Sequence, residues 1–132
     1  MSTIDKDALL ASMPLAVQLG IELQAAGPEG VEGTMSWAAE RTTAAGVLHG
    51  GALMAFADSL GAVCAFLNLP EGAGTSTIES KTNFFRAVTE GTVTGTSRPV
   101  HVGRRTIGVQ TEVRDPAGKL VTLTFQTQAV LS

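Results

Sequence analysis

One stretch, residues 47–68 (VLHGGALMAFADSLGAVCAFLN), constrains the fold of this chain more than any other. After His49-Gly50-Gly51 come about sixteen residues of almost unbroken apolar character, with no proline and a single charge, Asp58. Such an alanine-rich run favours a helix, and because it is apolar on most sides the helix should be buried. A carboxylate inside a buried helix is costly unless it has partners or a chemical role. Asp58 is therefore the first residue to explain.

Composition limits what the chain can be and what it can bind. Its 132 residues are enough for one domain with a real core, so we expect a single domain over residues 1–132. Charged residues make up only 16%, against about 25% in a typical domain, which suggests that some surface is buried in an oligomer. The net charge of −3 argues against nucleic acid as a partner, since phosphate binding needs a basic face.

The few cysteines and histidines narrow the chemistry further. The single cysteine, Cys64, excludes a disulfide within the chain and is interpreted as a small buried hydrophobe. His49 and His101 are the only histidines, so we expect no metal site and no cofactor. The N-terminal region is polar and lacks the apolar segment of a signal peptide, and the apolar runs are too short to span a bilayer. We therefore expect a cytoplasmic protein with no membrane partner.

The chain before the central helix predicts a helix and a hairpin. An amphipathic pattern predicts an N-terminal helix over residues 1–14, which Thr3 or Asp5 could cap and which Pro14 would end. Alternating apolar residues predict a strand over 16–26, and a glycine-proline turn then leads to a second strand over 31–37. The central helix is predicted over residues 50–68.

Four extended segments follow the central helix. They are predicted over residues 75–88, 91–102, 105–114 and 120–131, and the short connectors between them predict an antiparallel meander. Alternation predicts that one face of the last strand carries the apolar residues Val121, Leu123, Phe125, Ala129 and Leu131. Pro99 predicts a bulge or an edge. The predicted architecture is α+β, with an antiparallel sheet of about six strands wrapped over one apolar helix.

Glycines at the helix start and a carboxylate two turns later suggest a chemical site. The N–H groups at Gly50 and Gly51 can bind an oxyanion that develops on a carbonyl. Asp58 lies eight residues beyond Gly50, roughly 12 Å along the axis, which is too far to act on the same carbonyl. Both groups can serve one substrate only if they come from two chains with antiparallel helices. If the protein is an enzyme, we expect an obligate dimer with two interfacial sites.

Structural explanations of the same residues stay open at this point. His49 could simply cap the helix or bond to a loop carbonyl. Asp58 could pair with Arg41, Arg86 or Lys81, because perturbed buried carboxylates are often structural. The residue types alone do not decide between these explanations and a catalytic one.

The residues LHGGALMAFADSLGAV resemble the His-Gly-Gly…Asp signature of hotdog-fold acyl-CoA thioesterases, closest to the phenylacetate-pathway (PaaI-like) branch. The likeness extends to the segment TIESKTNFFRA at 77–87, the H-x-G-R turn at 101–104 and the hairpin DPAGKLV at 115–121. It therefore covers most of the chain from about Gly20 onward. It implies a hotdog fold and hydrolysis of a thioester.

The resemblance also implies roles for individual residues. Asp58 matches the catalytic carboxylate, which acts as general base on water or as nucleophile on the thioester carbonyl. Gly50 matches the backbone N–H that binds the carbonyl oxygen, and His49 stands beside it. Thr77 matches a hydroxyl that in some members holds the attacking water. Many members carry Asn or Gln six residues before the histidine, where this chain has Thr43, whose hydroxyl is shorter and can donate only one hydrogen bond.

A further set of residues is expected to bind the acyl group and coenzyme A. Phe84 offers an apolar surface, and the H-x-G-R turn matches one that tends to lie near coenzyme A phosphates. The full set of binding candidates is Gly51, Phe84, Arg86, His101, Gly103, Arg104 and Arg105.

The sequence thus predicts an acyl-CoA thioesterase that releases a carboxylic acid and coenzyme A, assembled as a homodimer and further as a homotetramer. Two alternatives stay open. One is a non-catalytic dimer that binds acyl-CoA, which Thr43 makes more plausible. The other is a hotdog dehydratase or hydratase, for which the chain lacks the Pro-Gly-Val helix start. Nothing in the sequence selects the acyl group.

Overall fold

A six-stranded antiparallel sheet wraps one long helix in the computed structural model, which describes residues 4–132. The helices are α1 (Lys6–Ala11), α2 (Pro14–Gln18) and α3 (Gly50–Phe66). The strands are β1 (Glu22–Gly27), β2 (Gly30–Ser36), β3 (Gly74–Phe84), β4 (Thr92–Val102), β5 (Thr106–Arg114) and β6 (Leu120–Leu131). Their order in the sheet is β1-β2-β4-β5-β6-β3. The predicted α+β architecture is confirmed.

Helix α3 forms the core together with the inner face of the sheet. Its residues Leu53, Phe56, Leu60 and Cys64 are at most 3% exposed and pack in the central hydrophobic cluster. The helix ends at Phe66 rather than at residue 68. Beyond it, the Asn68 side-chain amide donates to the Cys64 carbonyl at 2.8 Å and satisfies one of the carbonyls that the last turn leaves free. No helix in the described part of the chain is long and apolar enough to cross a membrane.

The N-terminal region differs from the predicted helix over residues 1–14. Helix α1 starts after Asp5, whose side chain accepts from the Ala8 N–H at 3.0 Å, and ends at Ala11. Pro14 does not end a helix but begins α2, at the first helical position, where its missing N–H costs nothing. Strand β1 consequently begins at Glu22, six residues later than predicted. The start of the predicted helix, including Thr3, lies outside the described residues.

The predicted four-stranded meander is wrong in one respect. Strand β3 pairs only with β6 and forms the sheet edge, while β4 inserts between β2 and β5. The segment 85–91 therefore carries the chain across the ends of β6 and β5. Two backbone hydrogen bonds hold it, from the Phe85 N–H to the Val121 carbonyl and from the Leu48 N–H to the Val88 carbonyl, both 2.8 Å. Because these bonds are long-range, connector length alone could not reveal them.

The face of β6 that packs on α3 is the polar one from Thr122 onward, while Val121, at a register shift, is buried as well. Val109 is opposite Gln126 in the β5–β6 register, so the even-numbered residues of β6 face α3. The buried side chains on this face are Thr122, Thr124, Gln126 and Gln128. Phe125 is 44% exposed on the outer face, where its ring lies over Gly108. A register shift between Pro99 and His101 confirms the predicted bulge.

Candidate active site

Asp58 lies in the middle of α3, half-buried and turned toward β3. Its Oδ1 accepts two hydrogen bonds, from the Thr77 hydroxyl at 2.7 Å and from the Gln126 Nε2 at 2.8 Å. Its Oδ2 has no partner among residues 4–132 and is not fully buried. An opening of about 260 Å³ adjoins the carboxylate and is lined by Met54, Ala55, Asp58, Thr77 and Ser80. One carboxylate oxygen is thus anchored and the other is accessible.

The partners of Asp58 are neutral, which makes the ion-pair explanation wrong. Within the part of the chain that the structure describes, the only salt bridge is Arg114–Glu112 at 3.0 Å. No cation in the described part of the chain therefore pairs with this carboxylate. Two neutral donors, Thr77 and Gln126, hold its position.

A second amide extends the hydrogen bonding beyond Thr77. The Gln128 Nε2 donates to the Thr77 Oγ1 at 2.6 Å, and the Gln128 Oε1 accepts from the Thr75 hydroxyl at 3.1 Å. Sequence analysis missed both Gln126 and Gln128. The signal that could have found them is the run of polar residues with period two in LVTLTFQTQAVL, which places four of them on one strand face.

At the start of α3, His49 caps the helix and leaves one N–H group unpaired. The His49 Nδ1 accepts from the Gly51 N–H at 2.7 Å, so that N–H group is occupied. The Gly50 N–H has no acceptor among the described residues. The Phe84 ring packs beside it, since a Cβ on Gly50 would lie 3.4 Å from the Phe84 Cε2.

Two other candidates lie in exposed segments near the helix start. Thr43 is exposed between two short 3₁₀ turns, where its N–H donates to the Val47 carbonyl at 2.8 Å. That bond stabilises the loop that leads to His49 at the start of α3. Arg86 is exposed on the segment that leaves β3, two residues after Phe84.

The remaining candidates form the β4–β5 turn. The turn is closed by a bond from the Gly103 N–H to the Thr106 carbonyl at 2.9 Å, and Arg104 is exposed on it. His101 is exposed and its imidazole lies over Gly103. The Arg105 carbonyl accepts from the Val130 N–H at 2.9 Å, which fixes the turn against the end of β6.

Strand register separates these candidates into two groups. Ile107 is opposite Gln128, and Gln128 is opposite Thr77, so the β4–β5 turn lies at the end of the sheet that holds the Asp58–Thr77 pair. Phe84, next to Gly50, is seven residues along β3 from Thr77, roughly 23 Å at the usual rise per residue. A single chain therefore does not bring the carboxylate and the Gly50 N–H to one point.

Cys64 takes no part in this site. It is fully buried, and burial, with a smaller contribution from the negative charge of Glu29, raises the pKa of its thiol to about 11. A thiol with that pKa is protonated near neutral pH and is a poor nucleophile. Among residues 4–132, no three His, Cys, Asp or Glu side chains cluster in a way that could hold a metal ion.

A sheet wrapped around one helix, with an anchored carboxylate inside that helix and an unpaired N–H at its start, is the arrangement expected of the hotdog class. Comparison with known proteins agrees. The profile of the thioesterase superfamily matches residues 45–122, more than half of the chain, and the chain belongs to that superfamily.

Relatives extend the match over nearly the whole chain. A crystal structure of a Haemophilus influenzae thioesterase aligns with a TM-score of 0.92 and 30% identity, covering 99% of this chain and 93% of that one. The 1,4-dihydroxy-2-naphthoyl-CoA hydrolase of Escherichia coli is 32% identical over 113 residues, 86% of this chain and 83% of the relative. The proofreading thioesterase EntH of Cronobacter turicensis is 32% identical over 105 residues, 80% and 77% of the two chains. The predicted hotdog fold and thioester hydrolase class are confirmed.

Proposed function

We propose that the protein is an acyl-CoA thioesterase whose active site is shared between two chains. Asp58 of one chain would act with the Gly50 N–H of the partner. The observation that carries this proposal is the separation of the two groups. The accessible Asp58 Oδ2 and the unpaired Gly50 N–H lie on one helix, roughly 12 Å apart along its axis.

The uncovered face of α3 supports a second copy of the chain as the partner. Gly51, Ala55, Ser59 and Ala62 form a stripe of small residues on this face, which allows another helix to approach closely. Strand β3 beside it is a sheet edge with unpaired backbone groups, which a second β3 can pair.

An antiparallel arrangement fixes which residues oppose each other. If Gly50 opposes the partner's Asp58, residues whose numbers sum to 108 face each other, and Met54 opposes its own copy at the two-fold axis. The same arrangement brings Phe84 and Arg86 of the partner to the end where Asp58 and the β4–β5 turn lie. Association of two such dimers into a homotetramer stays a prediction.

The chemistry follows from the two groups. With Asp58 as base, its Oδ2 takes a proton from water while the water oxygen forms a bond to the thioester carbon. The partner's Gly50 N–H stabilises the negative charge that develops on the carbonyl oxygen. The carbon–sulfur bond then breaks, and the thiolate of coenzyme A takes up the proton. If Oδ2 instead attacks the carbonyl, the carbon–sulfur bond breaks, coenzyme A leaves as the thiolate and a mixed anhydride forms. Water then hydrolyses the anhydride to the carboxylic acid and regenerates the Asp58 carboxylate, and the released proton passes to the thiolate.

An apolar pocket one turn beyond Asp58 indicates the kind of acyl group. It has a volume of about 270 Å³ and is lined mainly by apolar side chains, including Leu9, Met13, Val63 and Phe66. Because the lining offers few hydrogen-bond donors, the pocket favours an aryl or medium-length aliphatic group over a charged one. Arg104 and Arg105, at the same end of the sheet, supply positive charge for the phosphates of coenzyme A.

The activity is tested by thiol release over a panel of aryl, short-chain and long-chain acyl-CoAs. We expect turnover of at least one of them, and a loss of about 10²-fold or more in Asp58→Ala. Glu79→Gln is a matched control, because Glu79 is an exposed carboxylate on β3 that pairs with Thr127 on the outer face. Binding without turnover in the wild type would instead support the non-catalytic acyl-CoA-binding dimer.

The shared site is tested by mixing two inactive variants. Gly50→Pro removes the N–H and places the proline ring in contact with Phe84. The helix tolerates it, because proline suits the first helical position and His49 already has an extended backbone. After chain exchange with Asp58→Ala, half of the dimers are mixed and each holds one intact site. We therefore expect recovery of about a quarter of wild-type activity. No recovery despite verified exchange would mean that each site lies within one chain.

A further inference from the structure

We infer that Gln126 and Gln128 on β6 are positioning residues that set which oxygen of Asp58 reacts. This inference rests on the proposed role of Asp58. Both amides are fully buried, and neither faces the opening beside the carboxylate. They act on the substrate only through Asp58 and Thr77.

The proton donors in the network have one allowed direction. An amide nitrogen only donates, so Gln128 Nε2 makes the Thr77 oxygen an acceptor and leaves the Thr77 proton for Asp58. The Thr75 hydroxyl lies 2.7 Å from the Ala129 carbonyl and 3.1 Å from the Gln128 Oε1, so its single proton is shared between these two acceptors and the 2.6 Å bond to Thr77 is the main contact of the amide. Thr77 is thereby committed as a donor to the carboxylate, and its proton is not available to hold the attacking water.

Gln126 supplies the second donor to the same oxygen. Its Nε2 donates to Asp58 Oδ1, while its buried Oε1 has no hydrogen-bond partner in the described chain. That amide oxygen lies against the backbone of Gly61, where a side chain would overlap it. A buried carbonyl without a partner is destabilising, so a glutamine here is poorly explained by stability alone.

Convergence of two donors on Oδ1 has a defined effect on the carboxylate. Together the two hydrogen bonds restrain rotation of the carboxylate about the Cβ–Cγ bond. Oδ2 is left as the accessible oxygen that faces the opening. It is the atom that takes the proton from water, or attacks the carbonyl, in either role of Asp58.

The decisive experiment is the pH dependence of kcat in Gln126→Glu. A glutamic acid in place of the amide can donate to Asp58 only while it holds a proton, and two carboxylates in contact share one proton over a range of pH. We expect a bell-shaped plot of kcat against pH between about pH 5 and about pH 9. At the alkaline end kcat should fall ~10-fold or more, a decrease that the wild type lacks. A residue that merely fills space would leave the shape of the profile unchanged.

A second variant removes the donor without adding charge. Gln126→Met should lower kcat ~10- to 100-fold with KM little changed, which corresponds to one hydrogen bond to a charged group. Gln110→Met is the matched control, because Gln110 lies on β5 with its side chain on the exposed outer face opposite Phe125. If Gln126→Glu does not fold, Gln128→Glu probes the same hydrogen-bond network one residue further from Asp58. Its kcat should also fall at high pH, but by a smaller factor.

The outcomes separate this inference from the proposed function. A wild type that hydrolyses no acyl-CoA would overturn the proposed function. An active wild type, together with Gln126 variants that keep the wild-type kcat and pH profile, would overturn only the positioning role.

Discussion

Phe84, the last residue of β3, packs its ring against Gly50, the first residue of α3, so the end of the edge strand is fixed to the helix start. The ring is 48% exposed and stands beside the unpaired N–H that is proposed to bind the carbonyl oxygen. It therefore forms one wall of the proposed oxyanion site.

Phe84→Ala should lower kcat/KM about 10-fold, because roughly half an aromatic side chain of apolar surface is lost at the site. Steady-state kinetics with the best acyl-CoA would measure this. Phe85→Ala is the control, since the adjacent ring is 55% exposed and is not among the atoms within 4 Å of a Cβ at Gly50. Equal losses in the two variants would mean that the contact with Gly50 has no catalytic effect.

Gly61→Ala should reduce activity even though alanine is the better helix former. A methyl group at this position would overlap the Gln126 amide and push it away from Asp58. We expect kcat to fall ~10-fold or more, as for loss of one hydrogen bond to a charged group. The double variant Gly61→Ala/Gln126→Ala should regain thermal stability without regaining kcat. Additive losses in stability would contradict a direct contact.

Met54→Cys should form a disulfide-linked dimer under mild oxidation. Met54 is 37% exposed on the uncovered face of α3 and opposes its own copy in the proposed antiparallel pair. Non-reducing electrophoresis would detect the product. Phe66→Cys, on the same helix and more exposed at 50%, should not cross-link, since its two copies would be roughly 36 Å apart. Cross-linking of both variants alike would contradict the antiparallel arrangement.

Stability should fall in alkaline solution because of Cys64. Burial, and to a lesser extent Glu29, raises the pKa of this thiol from 9.0 to about 11 in the folded state. The folded chain therefore keeps its proton where the unfolded chain loses it. This contribution is fully present below about pH 9 and is lost as the pH rises toward about 11, by roughly 2–3 kcal/mol.

Urea unfolding at several alkaline pH values would measure that loss. The same series on Cys64→Ala should show a smaller decline, because the titrating group is gone. A decline of equal steepness in the variant would assign the effect to other groups.

Much of the fold was readable because local chemistry and tertiary structure agree. The apolar run, the capping His49 and the two glycines all predict the same helix, and alternation on β5 matches its buried face. The N-terminal helices were misjudged because Pro14 fits the start of a helix as well as the end of one. The place of β3 at the sheet edge depends on contacts with distant residues, which no local pattern encodes.

Only part of the candidate site could be predicted from the sequence, because only some of its residues depart from the local pattern. Asp58 stands out because a charge in an apolar helix violates a simple rule, whereas Gln126 and Gln128 lie in an ordinary alternating strand. Leu123 and Phe125 lie on the opposite face, and their apolar character gives no sign that the amides face the helix. The register with β5 overrides that pattern and directs the amides toward the helix.

In the proposed arrangement, each helix carries its carboxylate two turns from its own oxyanion donor, so a single chain holds no complete site. The rate of hydrolysis is then second order in the concentration of the chain. Well below the dimer dissociation constant, the number of complete sites grows with the square of the chain concentration, so doubling the protein would quadruple the rate. Specific activity would then rise on concentration and reach a plateau once every chain is paired. Expression level, rather than a separate inhibitor, would set when the enzyme is active.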